Sequence, residues 1–315
     1  MDKNTDDLKK LIEKEYKFKG VQLTFLRESS DNIVYYVDFK LEHMGVLRLS
    51  KRDVSQDILF ELKWIDALSK SPVPVAPIIR TNNGKLYFQI EKTVGVVFEF
   101  MKGFHLDLSN KSKIDVKYIK EGAKALAKLH NISSAIAINI PRKRNIFTEL
   151  NRILVIKKEF EDRFGGGKEF TKLIEEYITW AKSQTYKPVL INNDYRIGNV
   201  IFKNNGIEAI IDFDWACIGP AQKDLALALV EWSYVDKTDN GPNKKIFETF
   251  LSEYNKIAKV KFTKNETLFK WICFSCLSDT STYLIDRINQ EKPNKVTDSY
   301  MYQKHLYFSN YIKNQ

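Results

Sequence analysis

Two hydrophobic rhythms divide the chain. Over the first hundred positions the apolar residues come in short β-branched and aromatic runs, Ile33–Phe39 and then Gly45–Leu49 after a short polar connection. A helical stretch follows, with Ile58, Leu62, Ile65 and Leu68 on one face and Asp53 and Gln56 resembling a capping box before it. Three prolines in Pro72–Pro77 argue against regular structure. Lys85–Glu91 and Gly95–Met101 then read as two more strands. The expected order is strand, strand, helix, strand, strand, an antiparallel sheet with one helix against it.

After Lys102 and Gly103 the spacing turns helical. Ile119, Ala123, Leu126 and Leu129 form one apolar face that stops at His130 and Asn131. Residues 145–183 and 242–313 read as long charged helices, with Gly165–Gly167 expected as a flexible inter-helix loop, since no strand precedes it as a phosphate-binding fingerprint would require. The change of rhythm predicts two lobes, 1–101 and 102–315, joined directly around Met101–Gly103. The fold class expected is α+β.

Composition narrows the classes. At 315 residues, with 43% hydrophobic and 29% charged side chains, the chain is an ordinary globular protein of about two domains. The net charge of +10 is scattered among acids, which reads as a solvated surface and not as a nucleic-acid interface. No secretory leader and no stretch of membrane-spanning length is present, so a cytoplasmic protein without a membrane partner is expected. Cys273 and Cys276 form a C-x-x-C within an apolar segment; with no histidine near them for zinc, they read as small buried residues.

The chemistry concentrates between Pro188 and Trp215. Asn205-Gly206 between two apolar runs signals a hairpin with a type I′ turn, flanked by strands Val200–Phe202 and Ile207–Ile211. Such a hairpin would bring Asn199 close to Asp212, with Asp194 presented beside them by the loop 192–198. Two oxygen side chains suit a hard cation such as Mg²⁺, which keeps waters and phosphate oxygens as its other ligands. A third carboxylate, Asp194, suits the group that orients or deprotonates an attacking hydroxyl. Singly, each of these residues reads as a turn former or a strand-end acid. Their combination points to phosphoryl transfer.

Asp194–Asn199 (DYRIGN), Ile211–Trp215 (IDFDW) and Gly219–Ala226 (GPAQKDLA) together resemble the aminoglycoside phosphotransferase family, which shares the protein-kinase fold with choline-kinase-like and homoserine-kinase-like enzymes. The resemblance extends over most of the chain and is most specific in this segment. It implies a two-lobed protein-kinase-like fold, with a nucleotide-binding lobe at 1–101 and a catalytic, acceptor-binding lobe at 102–315. It implies Asp194 as catalytic base and Asn199 and Asp212 as magnesium ligands. Arg48 stands where kinases have the phosphate-holding strand lysine, with Glu61 its candidate helix partner; the guanidinium fork keeps that pairing chemistry. Arg196 stands at the offset where protein kinases carry a lysine that reaches the γ-phosphate, and a surface arginine is the equal alternative. Glu99, Phe100 and Met101 would meet the adenine edge through backbone groups. Asp224 would brace the catalytic loop.

Two departures stand out. The family begins its catalytic motif with His-Gly-Asp, where this chain has Asn192-Asn193-Asp194, and Arg27–Asn32 replaces the loop over the nucleotide without a glycine. The resemblance implies ATP (or GTP) and Mg²⁺ as cofactors and a small hydroxylated molecule as acceptor. Trp232, Tyr234, Trp271, Asp279 and Tyr283 are candidates for the acceptor pocket or for the core. Bases outnumber acids over 221–315, which argues against a polycationic antibiotic as acceptor. The alternative function is a catalytically silent nucleotide-binding scaffold.

Overall fold

In the computed structural model, which describes residues 2–29, 31–39, 44–51, 57–90, 93–108, 114–234, 241–290 and 294–313, the chain packs as two units. The first comprises Met1–Phe104, Ile136–Lys143 and Ile201–Asp214; the second comprises His105–Ala135, Arg144–Val200 and Trp215–Gln315.

The first unit begins with a helix, α1 (Asp2–Tyr16), followed by β1 (Gln22–Glu28), β2 (Asn32–Asp38), β3 (Met44–Ser50), α2 (Leu59–Leu68), β4 (Ile78–Ile79), β5 (Phe88–Ile90) and β6 (Thr93–Glu99). The strands form an antiparallel sheet in the order β1-β2-β3-β6-β4, with β5 also on β6. The α+β class and the antiparallel sheet are as expected, but α1, β1 and the two-residue β4 just after the prolines are additions to the expected order. Their signals are faint for physical reasons, and β4, at two residues, is too short to show a period. α1 buries Leu8, Ile12 and Tyr16 in the sheet core, with Leu11 partly buried against it, beside Val37, Leu47 and Val97. β1 is an edge strand that leaves Phe25 and Leu26 exposed and is bulged between Phe25 and Arg27, so its pattern lacks a clean buried face. The capping pair Asp53 and Gln56 lies outside the described residues. Arg48 sits on the central β3, opposite Val34 of β2 and Val96 of β6.

The second unit carries α3 (Val116–Ser133), α4 (Thr148–Val155), α5 (Lys157–Arg163), β7 (Phe164–Gly165), α6 (Gly167–Ser183) and β8 (Pro188–Ile191). Next in the chain comes a hairpin of β9 (Val200–Lys203) and β10 (Gly206–Ile210), after which the second unit resumes with β11 (Cys217–Pro220), α7 (Ala221–Ser233), α8 (Lys244–Ile257), α9 (Glu266–Asn289), β12 (Asn294–Lys295) and α10 (Tyr300–Lys313). Asp115, Asn243 and Asn265 cap α3, α8 and α9 through side-chain oxygens that accept backbone N–H bonds. This unit is mainly helical, as its periodicity predicts. Cys217, Cys273 and Cys276 are buried free thiols. No helix of the described residues is long and apolar enough to cross a membrane.

Two local expectations are corrected. Gly165–Gly167 is a built junction: Gly165 pairs with Lys295 in a parallel β7–β12 bridge, and Gly166 takes φ +84°. A Cβ on Gly167 would stand 2.9 Å from Glu161 Cα, so the glycines serve close approach. The hairpin turn is not type I′ at Asn205-Gly206. Asn205 has no positive φ; the chain turns at Asn204-Asn205, and Gly206 opens β10 at φ +149°. From Ile201 onward the hairpin belongs to the first unit, where Ile210 N–H donates to Pro74 O at 2.8 Å and Phe104 bridges Phe202.

Candidate active site

In the first unit a buried arginine gathers two carboxylates. Arg48 Nη1 lies 2.6 Å from Glu61 Oε1 of α2 and 2.8 Å from Asp214 Oδ1. Burial alone would lower the pKa of Arg48, but Glu61 and Asp214 outweigh it and raise it, so the guanidinium stays charged. Its Nε and Nη2 are buried without a partner among the described residues. Asp214 also accepts from Asn32 Nδ2 at 2.5 Å, and its carbonyl accepts from Arg142 Nη2 at 2.8 Å. Arg142 is itself anchored on the carbonyl of Asp57 and over the Phe60 ring.

The Ile-Asp-Phe-Asp run is shaped by its aromatic member. Phe213 is buried edge-on against Trp64 of α2, centroids 5.1 Å apart, which fixes the acids on either side. Asp212 takes a left-handed φ of +64°, a conformation uncommon for a non-glycine residue and concentrated at functional sites. Burial pushes its carboxyl pKa up, neighbouring Asp214 adds to this, and Arg48 opposes it. Arg27 Nη2 stands 4.0 Å from Asp212 Oδ2. Asp212, Asp214 and Glu61 thus crowd three carboxylates around Arg48 and the more distant Arg27.

The linker residues are partly committed. The amide of Glu99 donates to Pro77 O and that of Phe100 to Met44 O. The Met101 amide has no backbone partner among the described residues.

In the second unit the loop after β8 is held from beneath. Asp224, on the first turn of α7, accepts from the amides of Asn192 (2.9 Å) and Asn193 (2.8 Å), and its Oδ2 faces His130 Nε2 at 3.0 Å. Asn192 Oδ1 accepts from the Asp194 amide at 3.1 Å, so asparagine supplies a loop-bracing bond in the place of the family histidine. Asn193 is left-handed at φ +63°. Tyr195 is buried, stacked on Trp232, and its hydroxyl donates to Gly122 O at 2.9 Å, which anchors the loop in the helical core.

Asp194 is thereby presented with only 8% of its surface exposed. Its Oδ1 accepts from Arg196 Nε at 2.7 Å and from Arg196 Nη2, and its Oδ2 accepts from Asn199 Nδ2 at 2.8 Å. Arg196 also faces Asp279 of α9 at 3.7 Å. Asn199 closes a 3-10 turn, Ile197–Asn199, directly before β9, and Asp212 stands two residues beyond the end of β10. Of the acceptor candidates, Trp232, Tyr234 and Trp271 are buried core, Asp279 is half-buried beside Arg196, and Tyr283 is exposed.

The profile of the phosphotransferase enzyme family matches residues 22–260. The chain belongs to that family. Among curated relatives it is 24% identical to a homoserine kinase of Bartonella henselae over 235 residues, 73% of this chain and 69% of that one. Among solved structures it resembles an amicoumacin kinase in complex with AMP-PNP and Ca²⁺, at TM-score 0.73 and 18% identity, covering 90% of this chain and 88% of that one. It also resembles a choline kinase from Cryptosporidium parvum, at TM-score 0.68 and 15% identity, covering 98% of each chain. The protein-kinase-like fold and the phosphotransferase class read from the motifs both hold.

Four polar residues were not singled out by sequence: Asn32, Asp214 and Arg142 around Arg48, and Lys223, which donates to Asn193 Oδ1 in the loop before Asp194. Asp214 had a signal, since it is the second acid of the Ile-Asp-Phe-Asp run. Asn32, Arg142 and Lys223 had none, because their partners lie at sequence separations of 182, 72 and 30.

Proposed function

We propose that the protein transfers the γ-phosphate of ATP to a hydroxyl of a small molecule in a magnesium-dependent reaction. The observation that carries this reading is Arg48. A guanidinium clamped by Glu61 and Asp214, yet with Nε and Nη2 buried and unpartnered among the described residues, suits phosphate oxygens. Asp212, whose carboxyl Arg48 and Arg27 only partly offset, would be the carboxylate that holds a divalent cation. Bound there, Mg²⁺ would neutralise charge on the transferred phosphoryl group.

The chain's own residues account for the rest. Residues 1–101 would hold the nucleotide, with the Met101 amide available to the base, and GTP fits this description as well as ATP. Within 102–315, Asp194 would orient the acceptor hydroxyl and take its proton as the new O–P bond forms and the bond to the departing ADP oxygen breaks. Arg196, already on Asp194, would turn toward the phosphoryl oxygens. A homoserine kinase among the relatives and an amicoumacin kinase among the structural neighbours support a small acceptor.

The test is transfer of label from γ-labelled ATP with Mg²⁺ to a panel of hydroxylated compounds that includes homoserine, choline and aminoglycosides. Transfer that stops on chelation is expected. Tight binding of Mg-ATP without transfer to any acceptor or to water would favour the silent scaffold.

A further inference from the structure

Lys223 is a buried ammonium that the reaction scheme above does not use. It lies on the first turn of α7, 2% exposed, and donates to Asn193 Oδ1. Asn193 is itself 8% exposed, holds the left-handed φ of +63°, and donates through Nδ2 to Trp215 O at 3.1 Å. The adjacent Asp224 takes the amides of Asn192 and Asn193. One turn of α7 therefore grips the dipeptide before Asp194 from both sides, the acid by its backbone and the lysine by its side chain.

A left-handed asparagine is tolerated because its short polar side chain can be bonded locally, and here the bond comes from Lys223. Glycine would take the same backbone without help. Burying an ammonium is costly unless it is paired, and burial lowers the pKa of Lys223 despite Cys217, Asp224, Asp279 and Asp194 around it. A fold seeking stability alone is better served by an apolar side chain at this position. The loop conformation is what the lysine secures.

We infer that Lys223 is a positioning residue for phosphoryl transfer: by holding the Asn193 side chain it fixes the left-handed turn that aims the Asp194 carboxylate. This rests on the phosphotransferase reading, with Asp194 as the group that meets the acceptor.

The experiment is a double-substitution cycle of Lys223→Met and Asn193→Gly in the full chain, read by Mg-ATP hydrolysis with water as acceptor. Hydrogen exchange at the amides of 192–194 is measured in parallel. K223M should lower kcat by about 10–100-fold, the scale of an ångström-level misplacement, with KM for ATP nearly unchanged. It should also speed exchange at Asn193 and Asp194. In the N193G background the same substitution should cost less than about twofold, because glycine no longer needs the lysine. Asn193→Ala, which removes the acceptor atom but keeps the strained turn, should reproduce K223M while leaving Lys223 in place, and so serves if K223M folds poorly. A K223M enzyme with wild-type kcat, or an equal loss in both backgrounds, would overturn the assignment. If the wild type hydrolyses no ATP with water as acceptor, the exchange data alone decide whether Lys223 holds the turn, unchanged exchange in K223M overturning the assignment, while the phosphotransferase reading is decided separately by the acceptor panel.

Discussion

His130 Nε2 lies 3.0 Å from Asp224 Oδ2, and the same carboxylate accepts the Asn192 and Asn193 amides. His130 Nδ1 meets the Tyr254 hydroxyl at 2.7 Å. The end of α3, the start of α7 and α8 are thus tied to one loop through one buried acid. Replacing Asp224 by Ala would strand two buried amides and His130. The expected loss of unfolding free energy is roughly 2–5 kcal/mol. Urea denaturation with an unchanged m-value checks it; a loss below about 1 kcal/mol would mean that water replaces the carboxylate.

Asp194→Asn keeps the size of the side chain and its bond to Arg196 but removes the base. Transfer should fall by roughly 10²–10⁴-fold, the usual contribution of a positioned general base. Nucleotide affinity should change little, since Arg48 and its carboxylates are untouched. Side-by-side nucleotide titration and transfer assays separate the two effects. Equal transfer by variant and wild type would take Asp194 out of the mechanism.

Asp212→Ala removes the main carboxylate proposed for the cation. In the wild type, saturating Mg-ATP should raise the melting temperature, because a ligand that binds only the folded state stabilises it. The variant should lose the magnesium-dependent part of that rise, as should wild type with chelator. A full magnesium-dependent shift in the variant would move the metal site elsewhere.

His305 offers a test of pH dependence away from the site. It is 1% exposed, and burial pushes its pKa down to about 4 from the ordinary 6.5. Between those values the unfolded chain binds a proton that the folded chain refuses. Stability contributed by neutral His305 is therefore complete above pH 6.5 and lost as pH falls toward 4. The expected loss over that window is roughly 2–4 kcal/mol. His305→Asn should flatten the curve relative to wild type in urea unfolding across pH 4–7; parallel curves would assign the acid sensitivity to other groups.

The candidate site is legible in the sequence where its information is local. Spacing alone singled out Asp194, Asn199 and Asp212, because loop, hairpin and acid follow each other within twenty residues. The Arg48–Glu61 pair came from the resemblance, and the structure places it at 2.6 Å. The bracing role expected of Asp224 is met by its bonds to the loop amides. Terminal and edge elements were missed where the pattern is weak: α1 buries a narrow stripe, and β1 is exposed on most of its length.

By itself the sequence determined the two rhythms, sheet first and helices after, since periodicity is a property of neighbouring residues. It also determined the order of acids and amides that marks phosphoryl transfer. Only the tertiary structure decided which distant groups share a charge. It put Asp214 on Arg48 with Asn32 donating to it, joined the hairpin from Ile201 onward to the N-terminal unit, and set Lys223 on Asn193. The physical reason is that burial raises the strength of each such contact and the penalty for leaving it unmade. Burial is fixed by how sheets and helices pack, and no local spacing records it.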